Sequence, residues 1–380
     1  MERRLFEADH DLFGRTVRGF VESSVLPRLP EWEKAGVCDR EIWRDAGRLG
    51  LLGLQVADEY GGGGTSDFRY NTVLNEEFTR GGAISVGFTL QNDVIAPYLT
   101  RLTNDEQRAR WLPGFCAGDL IAAIAMTEPN AGSDLRGIQT SAVRSGSDYV
   151  LNGQKTFISC GSLADLVIVA AKTGAGRDAR ALSLLVVERG MPGFERGRNL
   201  EKIGRKAQDT AELFFTDVRI PKENLLGVEG DGFHSLMQNL PQERLTIAVT
   251  SVAACEAALE LTIGYTYERH AFGQAIAEFQ NTRFALAEMA TEVSIARSYV
   301  DRCVLEHNDG ALTPVDAAMA KWWTTELEKR VVDTCLQLHG GYGYMAEHPI
   351  AKAYLDARVQ TIHGGTTEIM KEIIGRSLKP

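Results

Sequence analysis

The 380-residue sequence is 44% hydrophobic and 24% charged, which fits two or three globular domains of about 100–150 residues and excludes disordered and fibrous classes. Its 41 basic and 51 acidic residues leave a net charge of −10, so no nucleic-acid partner is expected. No run approaches the ~18 consecutive apolar residues of a membrane span, and the opening MERRLFEADHDLFGR has no apolar signal core; the expectations are no membrane span and a cytoplasmic location.

Amphipathic helical stretches are expected near 5–25, 39–52, 68–80 and 105–117, interrupted by Pro27, Pro30 and the loop Gly61 to Gly64. From about 123 the texture turns to short β-rich runs: Tyr149 to Leu151, Lys155 to Ser159, Asp165 to Ala171, Ala181 to Val187 and Glu212 to Phe215. Asn152-Gly153, between the first two, predicts a hairpin turn. After about 227 long helices return, near 242–270, 279–307 and 315–340, with a final helical segment near 349–376. Met289, Val293, Ala296, Val300 and Cys303 mark one apolar face of the second. Thr313 and Pro314 supply a cap and a first helical position for the third. The expected fold class is α+β: an N-terminal helical domain (1–122), a small central β domain (123–226) and a C-terminal four-helix bundle (227–380).

Cys38, Cys116, Cys160, Cys255, Cys303 and Cys335 form no C-x-x-C pair, and the seven histidines show no H-E-x-x-H spacing. Neither a metal site nor a disulfide framework is expected, and the cysteines read as small buried hydrophobes.

The segment Met126-Thr127-Glu128-Pro129-Asn130-Ala131-Gly132-Ser133-Asp134 holds more small and hydroxyl residues than a plain turn needs. On physical grounds alone it is either a polar interdomain loop or a loop that brings backbone and hydroxyl donors close to a flat ligand. It resembles the M-T-E-P-x-A-G-S-D signature of acyl-CoA dehydrogenases, and further matches follow in that family's order. These are Phe157-Ile158-Ser159, Arg269 to Gln274 (R-x-x-F-G-Q), Gln337-Leu338-His339-Gly340-Gly341, and Gly364 to Ile369. The resemblance spans nearly the whole chain. The stretches 206–210, 240–245 and 349–354 are most similar to the long-chain branch.

The resemblance implies FAD-dependent α,β-dehydrogenation of an acyl-CoA thioester to the trans-2-enoyl product, a carboxylate taking the α-proton while the β-hydride passes to flavin N5. Many members carry that carboxylate in a Y-E-G-T loop; this chain reads His363-Gly364-Gly365-Thr366, and glycine cannot accept a proton. The isovaleryl and long-chain branches place the base on the helix that here begins Pro241-Gln242-Glu243-Arg244, which makes Glu243 the candidate base, against a surface glutamate paired with Arg244 or another neighbour. Desolvation beside an acyl chain would raise its pKa.

The remaining sites are implied residue by residue. Met126, Thr127, Gly132, Ser133, Phe157, Ile158 and Ser159 would contact the flavin, Phe157 standing where many members have Trp and Ser159 where Thr is commoner. Arg269, Phe272, Gln280, Gln337, Leu338, His339, Gly340 and Gly341 would reach the FAD of a neighbouring subunit, and Thr366 and Glu368 would complete its contacts. Ser133, Arg244, Gly364 and Gly365 would meet the substrate, the Gly364 N–H helping to polarise the thioester carbonyl. A homotetramer, as a dimer of dimers, and an electron-transferring flavoprotein as acceptor follow from the same resemblance. His363 is read as a packing or tuning residue, and Trp322-Trp323 as core and interface. The competing readings are an oxygen-using flavoenzyme of the same fold and a non-catalytic CoA-ester-binding member.

Overall fold

The structure, a computed structural model, describes residues 3–174 and 181–379. Six helices open the chain: α1 (Ala8–Phe20), α2 (Leu29–Ala35), α3 (Glu41–Arg48), α4 (Phe68–Arg80), α5 (Ala96–Arg101), which continues a π-helical turn at Leu90–Ile95, and α6 (Asp105–Ala117). Local chemistry sets their ends. Asp67 caps α4 by accepting from the Arg69 N–H, and Asn104 and Gln107 form a reciprocal capping box at α6. The aromatic residues Phe20, Trp43, Phe78 and Phe88 close the core of this domain, and Cys160 and Ala207 of the β domain join the same cluster.

Eight strands follow: β1 (Ala122–Ala125), β2 (Ser141–Ser145), β3 (Asp148–Ser159), β4 (Leu166–Lys172), β5 (Leu182–Glu188), β6 (Phe194–Asn199), β7 (Thr210–Ile220) and β8 (Leu225–Leu226). They form one sheet in the order β6-β7-β3-β2-β4-β5-β8, with β1 parallel to β4. Strands β4 and β5 are buried along nearly their whole length, which is why they read as unbroken apolar runs. The hairpin expected at Asn152-Gly153 is not there. β3 runs straight through it, the chain turns instead between Ser145 and Asp148, and the β3–β7 register shifts between Leu151 and Gly153. Gly153 serves a bulge: a Cβ on it would lie 2.5 Å from Thr140 Oγ1.

The last domain contains α7 (Gly232–Glu268), a short ribbon of β9 (His270–Ala271) and β10 (Gln274–Ala275), α8 (Gln280–Asn308), α9 (Pro314–His339), α10 (Pro349–Ala357) and α11 (Thr367–Ser377). The predicted apolar stripe of α8 is buried in the bundle core with residues of α7 and α9, and Thr313 caps α9 with Pro314 behind it. The final helical segment differs from expectation. Gly364 and Gly365, with φ of +65° and +100°, break it into α10 and α11. One helix, α7, has an 18-residue window of mean hydropathy 1.5, long and apolar enough to cross a membrane, but 61% of that window is buried inside the protein. Trp323 is exposed rather than core, lying beneath Arg330, while half-buried Trp322 lies beneath Lys371. All six cysteines are free and buried.

Helix α10 is where the three domains are pinned together. Lys352 Nζ bridges Glu33 of α2 (2.7 Å) and Asp356 (2.8 Å), and Asp356 accepts from the Arg205 N–H of the loop between β6 and β7. That loop comes so close that a Cβ on Gly204 would sit 2.4 Å from the Leu355 carbonyl oxygen.

Candidate active site

Glu243 lies in the second turn beyond Ser235 on α7 and is 7% exposed. Its Oε1 accepts two hydrogen bonds, from Tyr98 Oη of α5 (3.3 Å) and from Asn239 Nδ2 one helical turn earlier (3.1 Å). Burial pushes its carboxyl above the ordinary range and outweighs the downward pull of Asn239, Tyr98 and Arg244. The two bonded donors are neutral, so no ion pair opposes the desolvation at contact distance. Pro241 removes one backbone donor from the helix two residues before Glu243.

The break between α10 and α11 comes back onto this turn. Arg244 Nε donates to the Gly364 carbonyl (3.5 Å), and Lys321 Nζ of α9 donates to the Gly365 carbonyl. Burial, then the nearby Arg244, lower the Lys321 ammonium to about 8. Both carbonyls are thus taken by cations, while the Gly364 N–H has no acceptor among the described residues. A Cβ on Gly364 would lie 2.4 Å from Ile247 Cδ1. Glu243, Arg244, Gly364 and Gly365 therefore form one cluster. His363, beside it, bonds Gln360 Oε1 through Nε2 (2.8 Å), and burial, then Arg205 and Lys321, hold the ring neutral. It has no contact with Glu243 among its hydrogen bonds.

A second cluster is built on the sheet. Lys155 of β3 is fully buried, and its Nζ donates to Glu128 Oε1 (2.8 Å) and to the Met126 carbonyl (3.0 Å). Glu128 also accepts from the N–H groups of Gln139 (2.6 Å) and Thr140 (2.9 Å). One buried ion pair thus fixes both ends of the loop 126–140, and the Thr156 N–H to Thr127 carbonyl bond (2.9 Å) ties it to β3. Thr127 and Met126 are half-buried, and Gly132 and Ser133 are exposed. On β3, Phe157 adopts φ +60° with 67% of its surface exposed. A bulky side chain in that region is strained by about 1–3 kcal/mol, and the sheet holds its ring outward. Ser159 is half-buried, whereas the Ile158 side chain points into the sheet core at 3% exposure, so only its backbone is available to a ligand. Met126 and Tyr98 belong to one apolar cluster, together with Leu90, Val94 and Met237, so the loop and the tyrosine bonded to Glu243 border the same apolar region.

A third group stands apart. A cavity of about 500 Å³ is lined by Arg269, Leu338, His339, Gly340 and Gly341 with Tyr265 and Tyr342. His339 stacks on Tyr265 with ring centroids 4.2 Å apart, and Phe272 projects from the β9–β10 ribbon, 98% exposed. Gln280 starts α8 and Gln337 lies exposed near the end of α9. Along α7, Arg269 is 26 residues beyond Glu243, or about 39 Å at ~1.5 Å per residue. Thr366 caps α11 by accepting from the Ile369 N–H, and exposed Glu368 follows in its first turn.

These residues suit FAD. The loop 126–134 and Phe157 offer an outward aromatic face, two hydroxyls and a rigidly held backbone, which is what a flat polar ring system requires. The third cavity offers an arginine and glycines with open space where a Cβ would be, suited to a pyrophosphate. No group of three or more metal-ligating side chains occurs among the described residues.

Sequence reasoning missed the groups that hold these parts in place. Asn239 was open to it, since i and i+4 share a helix face. Lys155, an ammonium within a β-rich run, was a second visible signal. Tyr98 lies 145 residues from Glu243, and no local pattern joins them.

Models of the acyl-CoA dehydrogenase N-terminal, middle and C-terminal domains match residues 7–119, 123–218 and 230–379. The mouse mitochondrial long-chain specific acyl-CoA dehydrogenase is 50% identical over 378 residues, 99% of this chain and 88% of that protein. A crystal structure of an acyl-CoA dehydrogenase from Geobacillus kaustophilus superposes with a TM-score of 0.97 at 48% identity, covering all of both chains. A glutaryl-CoA dehydrogenase from Mycobacterium smegmatis in complex with FADH2 gives 0.91 at 29% identity, over 99% of this chain and 96% of that one. Three domain models in order, a full-length relative at half identity and a near-complete superposition lead to one conclusion: the chain belongs to the acyl-CoA dehydrogenase family.

Proposed function

We propose that the chain dehydrogenates an acyl-CoA thioester to its trans-2-enoyl product, with Glu243 removing the α-proton. The observation that carries the assignment is a buried carboxyl, raised in pKa and bonded only by neutral donors, in direct continuity with a loop whose position 364 holds no carboxylate. Such a carboxylate is a stronger base than a solvated one. The Gly364 N–H, which has no acceptor among the described residues, is the donor available to a thioester carbonyl, and Arg244 and Lys321 anchor the loop through the Gly364 and Gly365 carbonyls. Met126, Thr127, Gly132, Ser133, Phe157 and Ser159 would hold the flavin end of FAD, which when bound supplies the acceptor for the β-hydride.

The Arg269 group would serve the FAD of a second copy, because about 39 Å of helix separates it from the base. Exposed Tyr267, Phe272, Phe284, Tyr342, Tyr344 and Met345 gather in the same segments, an apolar surface suited to self-association. A homotetramer arranged as a dimer of dimers is the assembly that this sharing supports. Long or branched acyl chains, an electron-transferring flavoprotein as acceptor and a cytoplasmic location complete the reading, on the strength of the sequence resemblance.

The test is anaerobic bleaching of the bound flavin by a series of acyl-CoAs of graded length and branching. With Glu243→Gln the rate should fall by about 10²–10⁴-fold while the flavin stays bound. An undiminished rate in that variant would remove Glu243 from the role.

A further inference from the structure

Glu243 is held by one oxygen only. Oε1 takes both hydrogen bonds, from Tyr98 Oη and Asn239 Nδ2. Oε2 makes none among the described residues, and it is not one of the sealed, partnerless buried atoms. The amide of Asn239 is itself fixed on every side. Its Nδ2 also donates to the Val94 carbonyl (3.2 Å), and its Oδ1 accepts from Arg101 Nη2. Arg101 in turn is anchored by Nε to the Pro97 carbonyl (3.2 Å). A flipped amide would set Oδ1 against Glu243 Oε1 and Nδ2 against a guanidinium, so Arg101 determines which end of Asn239 faces the base.

Resting on the reading of Glu243 as the base, we propose that Tyr98, Asn239 and Arg101 are positioning residues that grip Oε1, so that Oε2 is the oxygen presented to the α-carbon. The grip has two effects. It fixes the carboxyl plane, which an unheld glutamate on a helix would rotate through. It also partly stabilises the ionised form against burial, so that the base is active at neutral pH rather than locked as the acid. The charge of Arg101 reaches the base only through a neutral amide, which stabilises the carboxylate without forming an ion pair that would quench it. The other charged groups nearby are Arg244 on its own helix, which acts on Glu243, and Lys321 of α9, which lies close to Arg244. Neither is bonded to Glu243.

The experiment is the pH dependence of flavin reduction by a saturating acyl-CoA in the FAD-loaded enzyme, for the parent, Tyr98→Phe, Asn239→Leu, Arg101→Gln and Glu243→Gln, each with its flavin content and melting temperature. Loss of a donor raises the pKa of the base, so the acid limb should move to higher pH, by about one unit for Tyr98→Phe or Asn239→Leu, a tenfold change in ionised base on that limb. Arg101→Gln should move it the same way and by less, because the amide survives but loses its orientation. A limb that stays in place in all three, with rate or melting temperature merely lowered, would overturn the proposal and leave Glu243 as base. A Glu243→Gln enzyme that still reduces its flavin would overturn the base assignment and the proposal with it. Should Asn239→Leu fail to fold, Tyr98→Phe, which keeps the ring in the core, carries the same test.

Discussion

Two buried glutamates, one in each wall of the site, are driven in opposite directions. Glu243 meets two neutral donors on one oxygen, and its pKa rises. Glu128 meets an ammonium and two backbone N–H groups; burial pushes its carboxyl up, and Lys155 with those donors more than reverses this. Lys155 bears the cost, held down to about 8 by the same burial. The partner therefore decides the outcome, and the partner matches the task. Glu243, which we propose takes a proton, is left without an ion pair, whereas Glu128, which holds a loop, is given one.

The strongest way to break this contrast is Lys155→Met, which strands the Glu128 charge in the sheet. Loss of one partner of a buried pair costs about 3–5 kcal/mol, so the melting temperature should fall and the flavin be lost. Lys155→Met with Glu128→Gln should recover most of the stability, since no charge is then left unpaired.

A smaller effect is expected on the other wall from Gly364→Ala. The left-handed backbone costs about 1–2 kcal/mol with a Cβ, and contact with Ile247 Cδ1 adds to it. Combining it with Ile247→Val, which deletes that methyl, should restore only the contact part in chemical denaturation. Full recovery would show that the backbone conformation is not the constraint.

The smallest effect sharpens the contrast through stability. The Glu243 pKa is raised by folding, so its contribution is fully present below the unfolded value of about 4.3 and is lost as pH rises through the folded value. Glu243→Gln lacks this loss. It should match the parent at pH below about 4 and become the more stable of the two, by melting temperature, as pH rises to 7. Equal pH dependence in both would mean that the base is not desolvated.

Much of the site was legible where one segment carries its own meaning. Glu243 stood out through the family resemblance, which sets a carboxylate present on α7 against one absent at 364; the composition of the loop 126–134 marked it as a candidate, and the same resemblance gave it a ligand. The β bulge at Gly153 was misread because Asn-Gly satisfies a tight turn and a bulge equally; only the opposing Thr140 distinguishes them. The break at Gly364-Gly365 was overlooked because the flanking residues continue a helical pattern, although two consecutive glycines were the available warning. The grip of Tyr98 on the base, and the anchoring of two loop carbonyls by Arg244 and Lys321, depend on long-range packing that no local pattern encodes.

The joint at α10 bears on how the enzyme comes into being. During synthesis residues 349–357 emerge after the helices of the first domain and the sheet of the second, which already carry large apolar clusters. Among the later contacts to become possible are Lys352 to Glu33 and Asp356 to the backbone N–H of Arg205. The first domain and the sheet already share the cluster around Cys160 and Ala207, and Tyr98 and Val94 already reach α7, so the late helix locks an alignment that earlier segments have begun. The clamp across all three domains is thereby closed only after Glu243, the loop 126–140 and both walls have been made.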